Sequence, residues 1–94
     1  MAFRDNETEA QWRAYSQRLA TSLRTARERA GLSQEDVAYR SGLTRYTYQK
    51  YEKGESKPGT PANPTIRTLL AMSQALDVEL AEILPPDAPD LRLR

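Results

Sequence analysis

Apolar residues between Ala10 and Ala30 recur at spacings of three and four: Trp12, Tyr15, Leu19, Leu23, Ala26 and Ala30. That is the single stripe of an amphipathic helix. Arg13, Gln17, Arg18, Arg24 and Glu28 fall off the stripe, and Gly31 supplies the left-handed position that commonly ends a helix. Residues 1–9 lack this periodicity and are expected to form a flexible arm. Ser33, with Glu35 and Asp36 behind it, predicts an N-cap and a second helix over Gln34–Arg40, which Ser41-Gly42 stops. Thr44 caps a third helix with an apolar edge of Tyr48 and Tyr51, ending at Lys53-Gly54. Residues 55–63 (ESKPGTPAN) read as a surface loop.

A fourth helix is expected to start near Pro64, with Ile66, Leu69, Leu70, Ser73 and Leu76 facing inward. Asp77-Val78 interrupts the pattern, and residues 79–84 make a last short helix that Pro85-Pro86 closes. Residues 85–94 are expected to be a mobile, Pro-rich tail, where Leu91 and Leu93 alternate with arginines as a hint of a strap toward a second protomer. No stretch carries a strong strand signal. The expected fold class is all-α: five helices in one domain over residues 10–84, with an extended first helix.

Ninety-four residues suit one domain with a modest core, which pairing with a second copy would help. Cysteine and histidine are both absent. Disulfides and thiolate metal sites are excluded, and the usual general base is missing. No nucleophile–base pair stands out, so neither an enzyme, a metal site nor a cofactor is expected. No apolar run approaches the roughly 20 residues that span a bilayer, and the start MAFRDNETEA lacks a signal-peptide pattern, so a cytoplasmic protein is expected. The net charge of +1 hides an asymmetry: residues 1–33 carry six basic side chains against four acidic, and residues 59–94 three against five. That permits a phosphate-facing side without demanding one.

The second and third predicted helices carry the functional signal. Ala38 is small enough for another helix to approach closely, and Gly42 sits in a turn that favours positive φ. Val37, Leu43, Tyr48 and Tyr51 mark the inward positions. Two helices joined by a turn of about three or four residues make the helix-turn-helix unit. Its second helix then projects Arg45, Tyr46, Gln49 and Lys50 outward.

GLSQEDVAYRSGLTRYTYQKYEKG (residues 31–54) resembles the Cro/C1-type (XRE-like, lambda repressor-like) family of prokaryotic and phage transcriptional regulators. NPTIRTLLAMSQALDVELAEIL (residues 63–84) continues the resemblance. It implies a DNA-binding transcriptional regulator, a dimeric repressor whose third helix reads an inverted repeat in double-stranded DNA. By position, Arg45, Tyr46, Gln49 and Lys50 would meet base edges. Gln34, Thr44, Thr47, Lys53 and Lys57 would contact the DNA backbone, Thr44 also capping the recognition helix. Arg27 and Glu52 would pair as scaffolding, with Ala38 and Gly42 shaping the turn.

The chain departs from the family in its tyrosines at 48 and 51, in a loop lengthened by a segment such as SKPGTP, and in an early-starting first helix. Trp12 and Tyr15 read as core or dimer packing, and Arg45 has an exposed solubilising charge as its alternative role. An antitoxin or protein-binding adaptor on the same fold is the rival reading, with a toxin or the transcription machinery as partner.

Overall fold

The computed structural model describes residues 2–92, with side chains from residue 7 onward. Leu93, half of the expected alternating tail, lies outside the described residues. The elements run α1 (Ala2–Ala30), α2 (Gln34–Arg40), α3 (Arg45–Lys53), β1 (Glu55–Lys57), β2 (Thr60–Pro61), α4 (Ile66–Ala75) and α5 (Leu80–Ile83).

Two expectations are corrected at once. The protein is mostly helical but not all-α, because β1 and β2 form an antiparallel hairpin inside the expected loop. Helix α1 starts at Ala2, so residues 2–9, expected as an arm, are helical. No Gly or Pro interrupts Ala2–Ala30, and Ala, Glu, Gln and Arg are frequent there. A helix nucleated by the packed stripe of residues 15–23 therefore propagates backward without needing an apolar face of its own. Its 29 residues set the 43 Å long axis of the molecule.

The core gathers Leu19 and Leu23 of α1, Val37 and Ala38 of α2, Tyr48 of α3, Met72 and Leu76 of the α4 end, and Ile83 of α5. Leu43, in the turn between α2 and α3, packs on this cluster for a geometric reason. Gly42 adopts φ +72°, its N–H bonds the Tyr39 carbonyl at 3.2 Å, and the Leu43 N–H bonds Ala38 at 2.9 Å. This pair of bonds is the Schellman motif, which satisfies the last carbonyls of α2 and turns Leu43 inward over Ala38. The turn thereby fixes the angle at which α3 leaves.

On α4 the inward set differs from the expected stripe. Met72, Ser73 and Leu76 are buried and Leu69 partly so, whereas Ile66 is 64% and Leu70 42% exposed. Residues 66 and 70 share an i, i+4 row beside the buried one, and an apolar composition alone does not say which row faces in.

The hairpin turns over at Pro58-Gly59, and Ala62 N–H returns to the Gly54 carbonyl at 2.9 Å. Side chains of α1 hold it down. Ser16 donates to the Ala62 carbonyl at 2.9 Å in a buried bond, and Arg13 donates to the Gly59 carbonyl at 2.9 Å. The segment after α5 lies along the opposite flank of α1. Tyr15 donates to the Pro85 carbonyl at 2.9 Å, and Arg18 donates to Pro86 and Asp87 at 2.7 and 3.1 Å. Among the described residues no helix is long and apolar enough to cross a membrane.

Candidate nucleic-acid interface

Helix α3 has two unlike faces because its sequence alternates large apolar and polar residues at helical spacing. Tyr48 and Glu52 are buried, while Arg45, Tyr46 and Lys53 are exposed and Gln49 and Lys50 half-exposed. The helix begins at Thr44, whose Oγ1 accepts from the Thr47 N–H at 3.1 Å and donates to the Thr47 hydroxyl at 3.0 Å. That cap satisfies one of the free N–H groups at the helix start. Both threonines thus spend polar atoms on shaping the start of α3.

Along the outer face Tyr46 is 69% exposed and carries Lys50 over its ring, with Nζ at 4.5 Å from the centroid. This cation–π contact keeps the ammonium on the outer face and leaves its N–H donors free to turn outward. Beyond Lys50, the β-hairpin folds back beside α3. A cleft of about 180 Å³ opens between them, lined by Tyr46, Gln49, Lys50, Lys53, Glu55, Ser56, Lys57 and Pro58. Its three lysines outnumber the single Glu55 carboxylate, so the groove keeps a cationic excess of a kind suited to an oxyanion. On the other side, Arg45 borders a shallow depression with Ser33, Gln34 and Glu35 at the start of α2. Ser33 and Asp36 form a reciprocal capping box there, with bonds of 3.0 and 2.9 Å. The Ser33 backbone N–H, followed by the Ser33 hydroxyl, holds the Asp36 carboxyl below the usual carboxylate range.

Beneath this surface lies a buried carboxylate. Glu52 is only 3% exposed and accepts from the Arg27 guanidinium, the Tyr48 hydroxyl and Gln34 Nε2, the last at 3.0 Å. Burial pushes its carboxyl up, but the bonds from Arg27, Tyr48 and Gln34 outweigh that and hold it below its ordinary value. Burial and the adjoining carboxylate push the Tyr48 phenol far up, so it stays protonated and donates. Arg27 also donates to the Leu32 carbonyl at 3.0 Å, and Arg24 to the Glu52 carbonyl at 2.8 Å. The end of α1, the start of α2 and the end of α3 are thus tied to one side chain.

The structure brings Arg45, Tyr46, Gln49, Lys50, Lys53 and Lys57 onto one side of the molecule, and Arg27 meets Glu52 beneath it. Gln34, expected to contact the DNA backbone, joins the Glu52 cluster, accepts from Gln49 Nε2 at 3.2 Å through its Oε1 and stays half-exposed beside Arg45. Ala38 and Gly42 lie in the turn region as described. Ser56 and the hydroxyl of Tyr48 were not legible as site residues. Ser56 belongs to a hairpin whose placement depends on α1, and Tyr48 reads as plain core until Glu52 is seen beside its oxygen. Among the described residues no cluster of His, Cys, Asp and Glu could hold a metal ion.

A family model for the helix-turn-helix domain matches residues 18–84. Among solved structures, the fold is similar to the restriction-modification controller protein C.AhdI from Aeromonas hydrophila, at 33% identity and a TM-score of 0.66, covering 74% of this chain and 97% of that one. A comparison with curated proteins gave no match. The matched span contains the whole α2–turn–α3 unit, the C-terminal part of α1, all of α4 and α5, and the Glu52 cluster. The chain therefore belongs to the helix-turn-helix domain family, among the Cro/C1-type DNA-binding regulators that its sequence resembles, a family of regulators and not of enzymes.

Proposed function

We propose that this protein is a sequence-specific transcriptional regulator that binds an inverted repeat as a homodimer, with α3 in the major groove of each half-site. The observation that carries this reading is the two-faced α3: Tyr48 and Glu52 anchor it in the core, while Arg45, Tyr46, Gln49 and Lys50 stand on one accessible face. Arg45 is the principal base reader, since a guanidinium bridges guanine O6 and N7. Lys53 and Lys57, in the cleft between α3 and the hairpin, hold phosphates and supply affinity without sequence choice. The likeness to a restriction-modification controller supports a role in governing such a system.

Exposed Ile66 and Leu70 support dimerisation, because a small domain with a modest core gains from covering an apolar pair. Two recognition helices would then enter successive major grooves about 34 Å apart. Selecting bound sites from a random DNA pool tests the reading. Enrichment of a palindrome is expected, and no enrichment overturns it in favour of a protein-binding adaptor. Sedimentation of the Ile66→Glu, Leu70→Glu variant tests the pairing surface. A shift from dimer to monomer with unchanged helical content is expected, and an unchanged dimer removes this surface from the reading.

A further inference from the structure

Two turns of α1 carry a ladder of aromatic and cationic side chains on the flank away from the hairpin. Trp12 and Tyr15 stack with ring centroids 5.7 Å apart at 22°, and the Arg18 guanidinium sits 5.1 Å from the Tyr15 centroid. Residues 85–91 lie on this ladder. Pro85 and Pro86 have no N–H, so the backbone there offers only acceptors. The ladder answers with donors. The Tyr15 hydroxyl takes the Pro85 carbonyl, and two nitrogens of Arg18 take those of Pro86 and Asp87, three successive carbonyls within 3.1 Å. Asp87 then adopts φ 60° and the chain turns back along α1, so that Leu91 borders a cavity of about 280 Å³ with Trp12 and Thr8. Pro85, Pro89 and Leu91 are half-buried, and Thr8, one turn before Trp12, is buried.

We propose that Trp12, Tyr15 and Arg18 form a docking site for a proline-led extended segment, which residues 85–91 occupy in cis and which a partner chain with the same Pro-Pro pattern enters once they leave. The class of partner follows from the segment already seated there. Prolines set φ before binding, so little backbone entropy is lost on an aromatic surface. Carbonyls without neighbouring N–H groups suit a hydroxyl and a guanidinium. Leu84 ends α5 directly before the first contact, and a tether this short gives an effective concentration of about a millimolar. A strap that stays docked therefore implies a dissociation constant in trans at or below about that value. The site lies on α1 away from α3, so the inference does not depend on the DNA reading. Trp12, Tyr15 and residues 85–91 also fall outside the span shared with the family.

Trp12 is the single tryptophan, so its emission reports whether the site is covered. The probe is a peptide of residues 85–92, PPDAPDLR, blocked at both ends. In the full-length chain, Pro85→Gly, Pro86→Gly, Leu91→Asp loosens the strap, since it frees φ and sets a carboxylate beside Trp12 and Glu9. Trp12 emission of this variant should shift to the red, and the peptide should reverse the shift with a Kd at or below about a millimolar. The wild type, whose own strap competes, should need at least about twofold more peptide. A peptide with Gly-Gly in place of Pro-Pro should bind about fivefold more weakly or worse, because two fixed φ angles are lost. Arg18→Met in the loosened variant should abolish peptide binding with unchanged helical content.

Unshifted emission in a folded, loosened variant overturns occupancy in cis, and a red shift that the peptide leaves unreversed overturns entry of a partner chain. Equal affinity of the wild type and the loosened variant overturns competition for one site. Equal binding of the Gly-Gly peptide overturns the proline requirement. If the loosened variant does not fold, Arg18→Met in the otherwise wild-type chain decides: it should shift Trp12 emission to the red, and unchanged emission overturns the site.

Discussion

Tyr48 donates its phenolic hydrogen to the carboxylate of Glu52, one turn further along α3, and both side chains are buried. The pair is local in sequence but acts at long range. Glu52 also receives Arg27 from α1 and Gln34 from α2, so the recognition helix is clamped from both neighbours through one carboxylate. Tyr48→Phe removes one donor and leaves the space filled. The variant is expected to lose about 1–3 kcal/mol of unfolding free energy in denaturant titration, as for an acceptor left short of a partner. The alkaline limb carries a second signature. Burial raises the Tyr48 phenol well above its ordinary 10.0, so its contribution is full below pH 10 and is lost as pH rises beyond that through the folded-state value. Wild-type stability should therefore fall above pH 10 more steeply than that of Tyr48→Phe. Parallel alkaline limbs would contradict the assignment.

The acid limb belongs to the other partner. The Glu52 carboxyl is held below its ordinary 4.5 in the fold, because hydrogen bonds to Arg27, Tyr48 and Gln34 exceed the opposing effect of burial. A depressed carboxyl stabilises above the unfolded-state value and loses that contribution as pH falls through the folded one. Stability should decline below about pH 4.5 in the wild type, and Glu52→Gln should be less stable at neutral pH yet flatter across the acid range. Arg27→Met, which leaves the carboxylate buried with one partner fewer, is expected to cost about 3–5 kcal/mol at pH 7. A loss below about 1 kcal/mol would show that Tyr48 and Gln34 suffice to solvate Glu52.

Arg45 stands at the first position of α3, exposed and directed away from the core. Arg45→Ala is expected to cost about 1–3 kcal/mol of binding to the selected site and to relax preference at one base pair. Equal losses on the selected site and on random DNA would instead make Arg45 a phosphate contact.

Lys53 and Lys57 border the cleft between α3 and the hairpin. Each Lys→Ala change should weaken binding to all sequences alike and reduce the slope of log K against log salt by about one. An unchanged salt slope in Lys57→Ala would place the hairpin outside the interface.

The helix-turn-helix frame is legible in the sequence because its determinants are short-range. Val37, Ala38, Gly42, Leu43 and Tyr48 lie within a dozen positions, and the Schellman turn that joins them is encoded by Gly42 and the apolar residue after it. The hairpin is not legible. Glu55, Ser56 and Lys57 show no apolar alternation, and the strands are held by Ser16 and Arg13, some forty residues away. Residues 2–9 form helix without an apolar stripe, so periodicity could not reveal them. Ile66 and Leu70 look like core residues until Met72 and Ser73 are seen to take the inward row. The amide order of Gln34 and Gln49 needs three residues from two helices and a buried charge, which no pairwise pattern contains.

Gly54 ends α3 at φ +83°, and a Cβ placed there would lie 2.6 Å from the Gln17 amide nitrogen of α1. Its carbonyl meanwhile accepts from Ala62 and closes the hairpin. Three elements meet at one residue whose positive φ disfavours any side chain and beside which the Gln17 amide sits, so the lysine-bearing hairpin is tied to α3 and α1 together. In native-state hydrogen exchange the amides of Gly54 and Ala62 should open together, with a common free energy, and a faster Ala62 would reveal a hinge. The proposed grip on the DNA backbone and the proposed reading of bases would then be, in mechanical terms, a single part.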